Sequence, residues 1–284
     1  MQAARLADGR VHLQDGPIDL LLKAEGTGRE AAERAAVLAF DGLLATLVEE
    51  LTVLRRPIGL PPPEVSGPVA RRMVDAVIPH ADRFVTPMAA VAGAVSDHLL
   101  AVMLEAAPDL SRAWVNDGGD IAFHLAPGRS FDVGLIADLR APALAGTATV
   151  GHGDPVRGVA TSGRGGRSFS LGIADAVTVM ANDAASADVA ATLIANAVDL
   201  PGHPAIRRGP ASGEDPDSDL GDRPVVLDVG RLFPAEVEAA LDAGCLASEA
   251  IVKGMPGISA ILFLNQRFRI VGGTMQATWV RWGP

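Results

Sequence analysis

The chain has 284 residues, of which 49% are hydrophobic and 20% are charged, a composition typical of globular proteins and not of disordered ones. Its formal net charge of −10 argues against nucleic acid as the main partner, because phosphate backbones are bound by basic surfaces. Cys245 is the only cysteine, which excludes an intrachain disulfide and a metal site built on cysteines.

The N-terminus and the most apolar stretch determine what we expect about location. The first residues contain no long apolar run of the kind that a secretion signal needs. The most apolar region, 84–105, is interrupted by Asp97 and His98. We therefore expect a cytoplasmic protein that does not span a membrane.

The first part of the chain predicts a hairpin followed by helices. Residues 9–26 alternate weakly around a turn at 14–17 and predict two paired strands. Apolar residues at helical spacing predict one long amphipathic helix over 28–53. The proline-rich stretch 57–66 predicts a loop, and two further helices are predicted at 67–79 and 87–106.

The rest of the chain mixes strands and helices irregularly. Strands are predicted near 112–116, 120–125, 131–137, 169–180, 224–229 and 258–271. Helices are predicted at 184–197 and 234–243. Residues 201–223 are rich in Pro, Gly and Asp, and we expect an irregular loop insertion there. Because the elements do not alternate as a βαβ repeat, the pattern favours an α+β fold in one compact unit, with a single domain over 1–284.

Residues 114–120 (Trp-Val-Asn-Asp-Gly-Gly-Asp) carry the first candidate site. Gly118 and Gly119 let backbone N–H groups approach a ligand or let the chain take a positive φ, and Asn116 and Asp120 bracket them. The functional interpretation is a cradle for a pyrophosphate or a ribose. The structural interpretation is a tight turn between two strands.

Residues 157–167 carry the second candidate site. Thr161, Ser162 and Gly163 lie among three arginines, Arg157, Arg164 and Arg167. Hydroxyls, free N–H groups and guanidinium groups suit a phosphate. A surface loop with solvated arginines is the alternative.

The predicted helix at 184–197 carries the third candidate site. Asp188 and Thr192 are four positions apart, which places a carboxylate and a hydroxyl on one face of a helix. Two oxygen ligands from protein, completed by water and phosphate, suit Mg²⁺. The alternative is a capping Asp and a half-buried Thr.

The order and spacing of these three motifs resemble the ApbE-like superfamily, whose best-known members are FAD:protein FMN transferases. Three segments carry the resemblance: Asn116-Asp-Gly-Gly-Asp120, Thr161-Ser-Gly163 and Ala187-Asp-Val-Ala-Ala-Thr192. The helix at 87–98 resembles a family helix that reads Lys-Gly-x-x-x-Asp, which Gly93 and Asp97 match. The resemblance covers roughly residues 85–200 and implies an ApbE-like, T-fold-related arrangement of mixed sheets with packed helices.

The resemblance also implies ligands and site residues. Asp188 and Thr192 become candidate Mg²⁺ ligands, together with the backbone carbonyl of Ala89, and Asp188 is the candidate catalytic residue. FAD or FMN is the implied cofactor. The candidate flavin contacts are Asn116, Gly118, Gly119, Asp120, Thr161, Ser162 and Gly163.

Two departures from the family leave the activity open. Ala92 stands where the family has a lysine, and residues 168–175 (Ser-Phe-Ser-Leu-Gly-Ile-Ala-Asp) replace a segment that supplies a histidine. The first hypothesis is a Mg²⁺-dependent FMN transferase or FAD pyrophosphate-cleaving enzyme. The alternatives are a non-catalytic flavin- or nucleotide-binding module, and an enzyme that acts on another small anionic metabolite in the same cleft. In each case the partner is a small phosphorylated or anionic molecule, and the apolar C-terminal strands admit a homodimer.

Overall fold

The computed structural model describes residues 1–255, 257–272 and 280–282. The chain divides into two compact units. The first unit comprises Met1–Phe131, Val150–Ala160 and Met180–Val189. The second unit comprises Asp132–Thr149, Thr161–Val179 and Ala190–Pro284. The assignment of one domain to the whole chain stays a prediction.

The first unit is built on an antiparallel sheet with helices packed against it. Its strands are β1 (Gln2–Arg5), β2 (Val11–Asp15), β3 (Ile18–Gly26), β4 (Leu110–Asp117) and β5 (Asp120–Leu125). Its helices are α1 (Arg29–Phe40), α2 (Leu43–Leu54), α3 (Pro68–Val77) and α4 (Val91–Ala106), with short 3-10 turns at Ile78–His80 and Pro87–Ala90. The five strands pair in chain order, each antiparallel to the next.

Five elements contribute residues to both units. They are β6 (Ser130–Ile136), β7 (Leu144–Gly151), β8 (Gly158–Ser162), β9 (Ala176–Ala181) and α5 (Ala184–Ala197). Within the first unit, β8 begins antiparallel to β5, where Ile121 pairs with Val159.

The core of the first unit follows the two periodicities of the sequence. Along β3, every second side chain is buried, from Ile18 to Ala24, because successive side chains point to opposite faces of a sheet. On α1, the buried residues Ala32, Ala36 and Phe40 recur at helical spacing. Helix α4 packs on α1 and on strands β4 and β5. These contacts place α4 beside the β4–β5 hairpin.

One helix of the first unit passes a test of length and composition for a membrane span. The stretch Pro87–Ala106 is long and apolar enough by these two measures, and half of it is buried within the structure. The expectation that the protein does not span a membrane rested on Asp97 and His98, which interrupt the stretch. Leu99 and Met103, on the same helix, are fully buried in the core.

The second unit combines smaller sheets with one long helix. Its remaining elements are β10 (Ile206–Pro210), α6 (Ala211–Glu214), β11 (Pro224–Val229), α7 (Pro234–Gly254), β12 (Ser259–Leu264), β13 (Arg267–Gly272) and β14 (Val280–Trp282). Strands β12 and β13 form an antiparallel hairpin against which α7 packs, and β10 pairs with β11. Strand β7 lies between β6 and β14 in a three-stranded sheet.

The α+β class predicted from the sequence is confirmed, and the differences lie at element boundaries. The predicted helix over 28–53 is two helices, because Asp41 and Gly42 break it and Gly42 takes a φ of 80°. The stretch 201–223, expected to be irregular, contains β10 and α6. The strand predicted over 169–180 begins only at Ala176. Strand β7 was not predicted.

Candidate functional site

The Asn116–Asp120 motif forms the tight turn between β4 and β5 in the first unit. Asp117 pairs with Asp120 across the hairpin, and Gly118 and Gly119 both have positive φ, 65° and 115°. The backbone N–H of Gly119 donates to Oδ1 of Asn116 at 2.8 Å. The structural interpretation of this motif is therefore correct, and the N–H of Gly119 is already used within the turn.

The turn is nevertheless accessible and anchored. A Cβ atom built at Gly119 would meet no heavy atom of the described residues within 4 Å, so this part of the chain leaves space beside the backbone. The hydroxyl of Ser96, on α4, donates to the backbone carbonyl of Asp120 at 2.9 Å. A ligand could approach this backbone closely, while Ser96 holds the turn against the helix.

Helices α4 and α5 meet in the first unit through Gly93. A Cβ atom at Gly93 would lie 2.3 Å from the carbonyl oxygen of Ala184, so only glycine permits this approach. The carboxylate of Asp97 accepts the backbone N–H groups of Ala184 and Ala185 at 3.0 and 2.9 Å. The two residues that match the family helix therefore join the start of α5 to α4.

Asp188 lies at this junction. Its Oδ2 accepts the backbone N–H of Gly93 at 3.1 Å, and the residue keeps some solvent exposure. Burial of the carboxyl group raises the pKa of Asp188 well above its usual range, and the negative charges of Asp120 and Asp117 raise that pKa further. The first unit therefore brings Asp188 close to the double-glycine turn, as the sequence motifs predicted, in a negatively charged environment.

Asp117 was not among the predicted site residues. It is 5% exposed and stands on the same face of β4 as the buried residues Ala113 and Val115. The two-residue period of that strand was the signal that could have found it.

Two further candidate metal ligands lie on the elements around Asp188. Ala89 is in the 3-10 turn Pro87–Ala90 that leads into α4. Thr192 follows Asp188 by four positions on α5, is half-buried, and belongs to the second unit. Among the described residues, no group of three or more His, Cys, Asp or Glu side chains is arranged to hold a metal. The ligands that the resemblance implies are one carboxylate, one hydroxyl and one backbone carbonyl, which is a different kind of site. The metal-binding roles of Asp188, Thr192 and Ala89 therefore stay predictions.

The Thr161–Gly163 motif ends strand β8 and belongs to the second unit. The hydroxyls of Thr161 and Thr178 lie 2.9 Å apart in a hydrogen bond. A Cβ atom at Gly163 would lie 2.8 Å from the carbonyl oxygen of Asp175, so glycine is required where these two segments of the unit touch. Ser162 is half-buried.

The arginines near this motif are largely engaged in the protein itself. In the first unit, Arg157 donates to the backbone carbonyls of His152, Asp154 and Val156. In the second unit, Arg164 donates to Oδ1 of Asp175 through Nε at 3.0 Å and through a terminal nitrogen at 2.6 Å. These two side chains brace loops, and we do not count them as phosphate ligands.

The segment 168–175 also turns inward in the second unit. Asp175 is 4% exposed and accepts hydrogen bonds from Arg164, from Arg140 at 3.1 Å and from the backbone N–H of Asn265 at 2.6 Å. The buried hydroxyl of Ser170 donates to the carbonyl of Gly172. The segment that replaces the family histidine is thus used for internal structure.

Comparisons with known proteins agree with this architecture. The family model described as "AbpE bacteria" matches residues 3–274. The UPF0280 protein of Methanothermobacter thermautotrophicus is 41% identical over 138 residues, which cover 48% of this chain and 50% of that protein. The UPF0280 protein of Methanoculleus marisnigri is 33% identical over 196 residues, which cover 68% of this chain and 70% of that protein. The chain thus spans about half the length of the first of these relatives.

A solved structure gives the same fold. The crystal structure of the ApbE protein from Thermotoga maritima matches with a TM-score of 0.51 and 12% identity, covering 94% of this chain and 96% of that chain. At this identity the likeness concerns the fold alone. Together with the family match over almost the whole sequence, these findings show that the chain belongs to the ApbE-like family.

Proposed function

We propose that this protein binds a flavin nucleotide together with Mg²⁺ at the Asp188 site and acts on the pyrophosphate of FAD. One observation carries the proposal. The carboxyl group of Asp188 is buried among the negative charges of Asp120 and Asp117, and its hydrogen bonds come from backbone N–H groups at the start of α4. No cationic side chain in the described part of the chain forms an ion pair with Asp188.

The donor set fits a hard divalent cation. Carboxylate, hydroxyl and carbonyl oxygens are the ligands that Mg²⁺ takes from proteins, usually one or two at a time, with water and substrate phosphate completing the shell. Within the first unit, Asp188 and the carbonyl of Ala89 would hold the ion. Bound Mg²⁺ would neutralise the charge that develops on phosphate oxygens during transfer.

The protein residues would orient the nucleotide and keep the site polar. The open backbone at Gly119 admits a phosphate or a ribose, and Asp120 accepts from a sugar hydroxyl. In the reaction, water or an acceptor hydroxyl attacks the phosphorus on the FMN side. The bond from that phosphorus to the bridging oxygen breaks, AMP leaves, and the nucleophile's proton passes to solvent.

A flavin-binding module without this chemistry is the second candidate, and two observations favour it. Ala92 replaces the family lysine at the start of α4, and Asp175 and Ser170 are turned inward where the family supplies a histidine. The enzyme predicts Mg²⁺-dependent flavin binding, whereas the module predicts flavin binding that survives EDTA. Only the first predicts AMP release.

The test measures binding and chemistry on the same samples. The full chain is titrated with FAD by fluorescence quenching, with Mg²⁺ and with EDTA, and the mixtures are then assayed for AMP and FMN by chromatography. Asp188→Asn, which keeps the acceptor for the N–H of Gly93, should abolish the Mg²⁺-dependent part of binding. Asp82→Asn, at an exposed carboxylate of the same unit, is the matched control and should behave as the wild type.

Each outcome decides between the candidates. Mg²⁺-dependent binding with AMP release supports the enzyme, and flavin binding without AMP release, including binding that survives EDTA, supports the module. If FAD and FMN bind neither with Mg²⁺ nor with EDTA, the proposal fails.

A further inference from the structure

Two aspartates join helices α4 and α5 reciprocally in the first unit. Asp97, on α4, accepts the N–H groups of Ala184 and Ala185 in the first turn of α5. Asp188, on α5, accepts the N–H of Gly93 in the first turn of α4. The first N–H groups of a helix have no partner within the helix, so each carboxylate satisfies donors that the other helix leaves open.

The first turn of α5 is held further by its own cap and by close backbone contacts. Asp183 accepts the N–H of Ser186 at 2.7 Å. A Cβ atom at Gly158 would lie 2.0 Å from the carbonyl carbon of Asp183, and one at Gly93 would lie 2.3 Å from the carbonyl oxygen of Ala184. Residues 183–184 are therefore enclosed by backbone on two sides, and Asp188 follows one helical turn later.

We propose that Asp97 is a positioning residue for the cation site: by holding the first turn of α5, it sets the direction in which the carboxylate of Asp188 faces Asp120 and Asp117. This inference rests on the proposed function, because it assigns to Asp97 a role toward the ion that Asp188 would bind. Asp97 itself touches neither the ion nor the nucleotide.

The alternative is that Asp97 only caps a helix and contributes to stability. The two roles differ in one measurable quantity. A cap affects the free energy of unfolding, whereas a positioning residue also changes the affinity of the folded protein for the cation at temperatures well below unfolding. Partners that orient metal ligands typically change metal affinity about 10- to 100-fold when they are replaced.

The experiment measures Mn²⁺ binding to the full chain by electron paramagnetic resonance of the free ion, with Mn²⁺ as the probe for the Mg²⁺ site. Asp97→Asn keeps the side-chain volume but can accept only one of the two N–H groups. We expect its dissociation constant for Mn²⁺ to rise about tenfold. Asp188→Asn should remove the site.

Glu50→Gln is the matched control. Glu50 accepts the N–H groups of Ser66 and Gly67 at the start of α3, so it is another carboxylate that binds two N–H groups at the beginning of a helix in the same unit. Glu50→Gln should lower thermal stability and leave the dissociation constant for Mn²⁺ unchanged.

The outcomes separate this inference from the proposed function. If the wild type binds Mn²⁺ and Asp188→Asn does not, while Asp97→Asn binds as the wild type does, the inference is overturned and the proposed function stands. If the wild type binds no Mn²⁺, both fall. Should Asp97→Asn fail to fold, Asp97→Glu keeps the charge but displaces the carboxylate, and unchanged Mn²⁺ affinity in that variant would equally overturn the inference.

Discussion

Two aspartates, one in each unit, show what separates a structural carboxylate from a candidate ligand. Asp175, in the second unit, receives two guanidinium groups and a backbone N–H. In the described part of the chain, the hydrogen bonds to Asp188, in the first unit, come from backbone N–H groups, and the charged groups that raise its pKa are the carboxylates of Asp120 and Asp117. Among the described residues, the first carboxylate is paired with guanidinium groups, and the second has other carboxylates near it.

The contrast teaches that residue type and burial do not identify a site. Both aspartates lie near glycine-containing motifs; Asp175 is 4% exposed, and Asp188 keeps some solvent exposure. What differs is the sign of the surrounding charge, because a buried anion is stable when cations and donors surround it and otherwise favours protonation or a bound cation. Four predictions test this contrast.

The largest effect is expected from Asp175→Ala. The substitution leaves Arg164, whose side chain is 13% exposed, without its main acceptor, and we expect the free energy of unfolding to fall by about 3 to 5 kcal/mol. Urea denaturation monitored by circular dichroism measures it. Asp138→Ala, at a more exposed carboxylate that also pairs with Arg140, is the control and should cost about 1 kcal/mol or less. Equal losses in the two variants would contradict the contrast.

The second effect concerns Asp97. Its surroundings are intermediate between those of Asp175 and Asp188, because it accepts two N–H groups but forms no ion pair in the described structure. Burial, followed by the charge of Asp183, raises the pKa of Asp97 to about 6, against hydrogen bonds that lower it. A raised folded-state pKa contributes stability that is present below the unfolded value and is lost as pH rises through the folded value. Between about pH 4 and about pH 6, the wild type should therefore lose roughly 2 to 3 kcal/mol relative to Asp97→Asn. Parallel pH profiles of the two proteins would refute this.

The third effect is the stability of Asp188→Asn without metal. Because burial and the charges of Asp120 and Asp117 disfavour the ionised carboxylate of Asp188, the uncharged amide should raise the free energy of unfolding. Mg²⁺ should raise the melting temperature of the wild type and not of the variant. The measurement is thermal unfolding with EDTA and with Mg²⁺, and a variant less stable than the wild type in EDTA would show that Asp188 is compensated after all.

The smallest effect is the pH dependence of cation binding. Because the pKa of Asp188 is raised, protons compete with the cation, so the Mg²⁺-induced increase in melting temperature should grow as pH rises and vanish in acid. Thermal unfolding across a pH series measures this shift. A shift that is independent of pH would place the cation at another carboxylate.

Three features could be predicted from the sequence: the fold class, helix α5, and the approach of Asp188 on that helix to the turn at 116–120. The apolar spacing of 184–197 predicted α5 with its observed bounds, and Asp188 lies near the double-glycine turn as expected. The identity of individual residues could not show which side chains would form hydrogen bonds or ion pairs with one another. Arg157 and Arg164 looked available for phosphate. The folded chain instead pairs Arg157 with loop carbonyls and Arg164 with the carboxylate of Asp175.

The helix predicted over 28–53 had wrong boundaries for a related reason. The apolar pattern over 28–53 continues through Asp41 and Gly42, and only the positive φ of Gly42 divides it. Likewise, the short strand β10 has no alternation of its own and exists because β11 offers it a partner.

Gly93 and Gly158 affect how much the site must rearrange when a ligand binds. Since backbone atoms enclose residues 183–184 on both sides, the carboxylate one turn further along is already oriented before anything binds. If the proposed cation binds Asp188, association should require little rearrangement of the protein, so its rate should be set mainly by the loss of water from the ion.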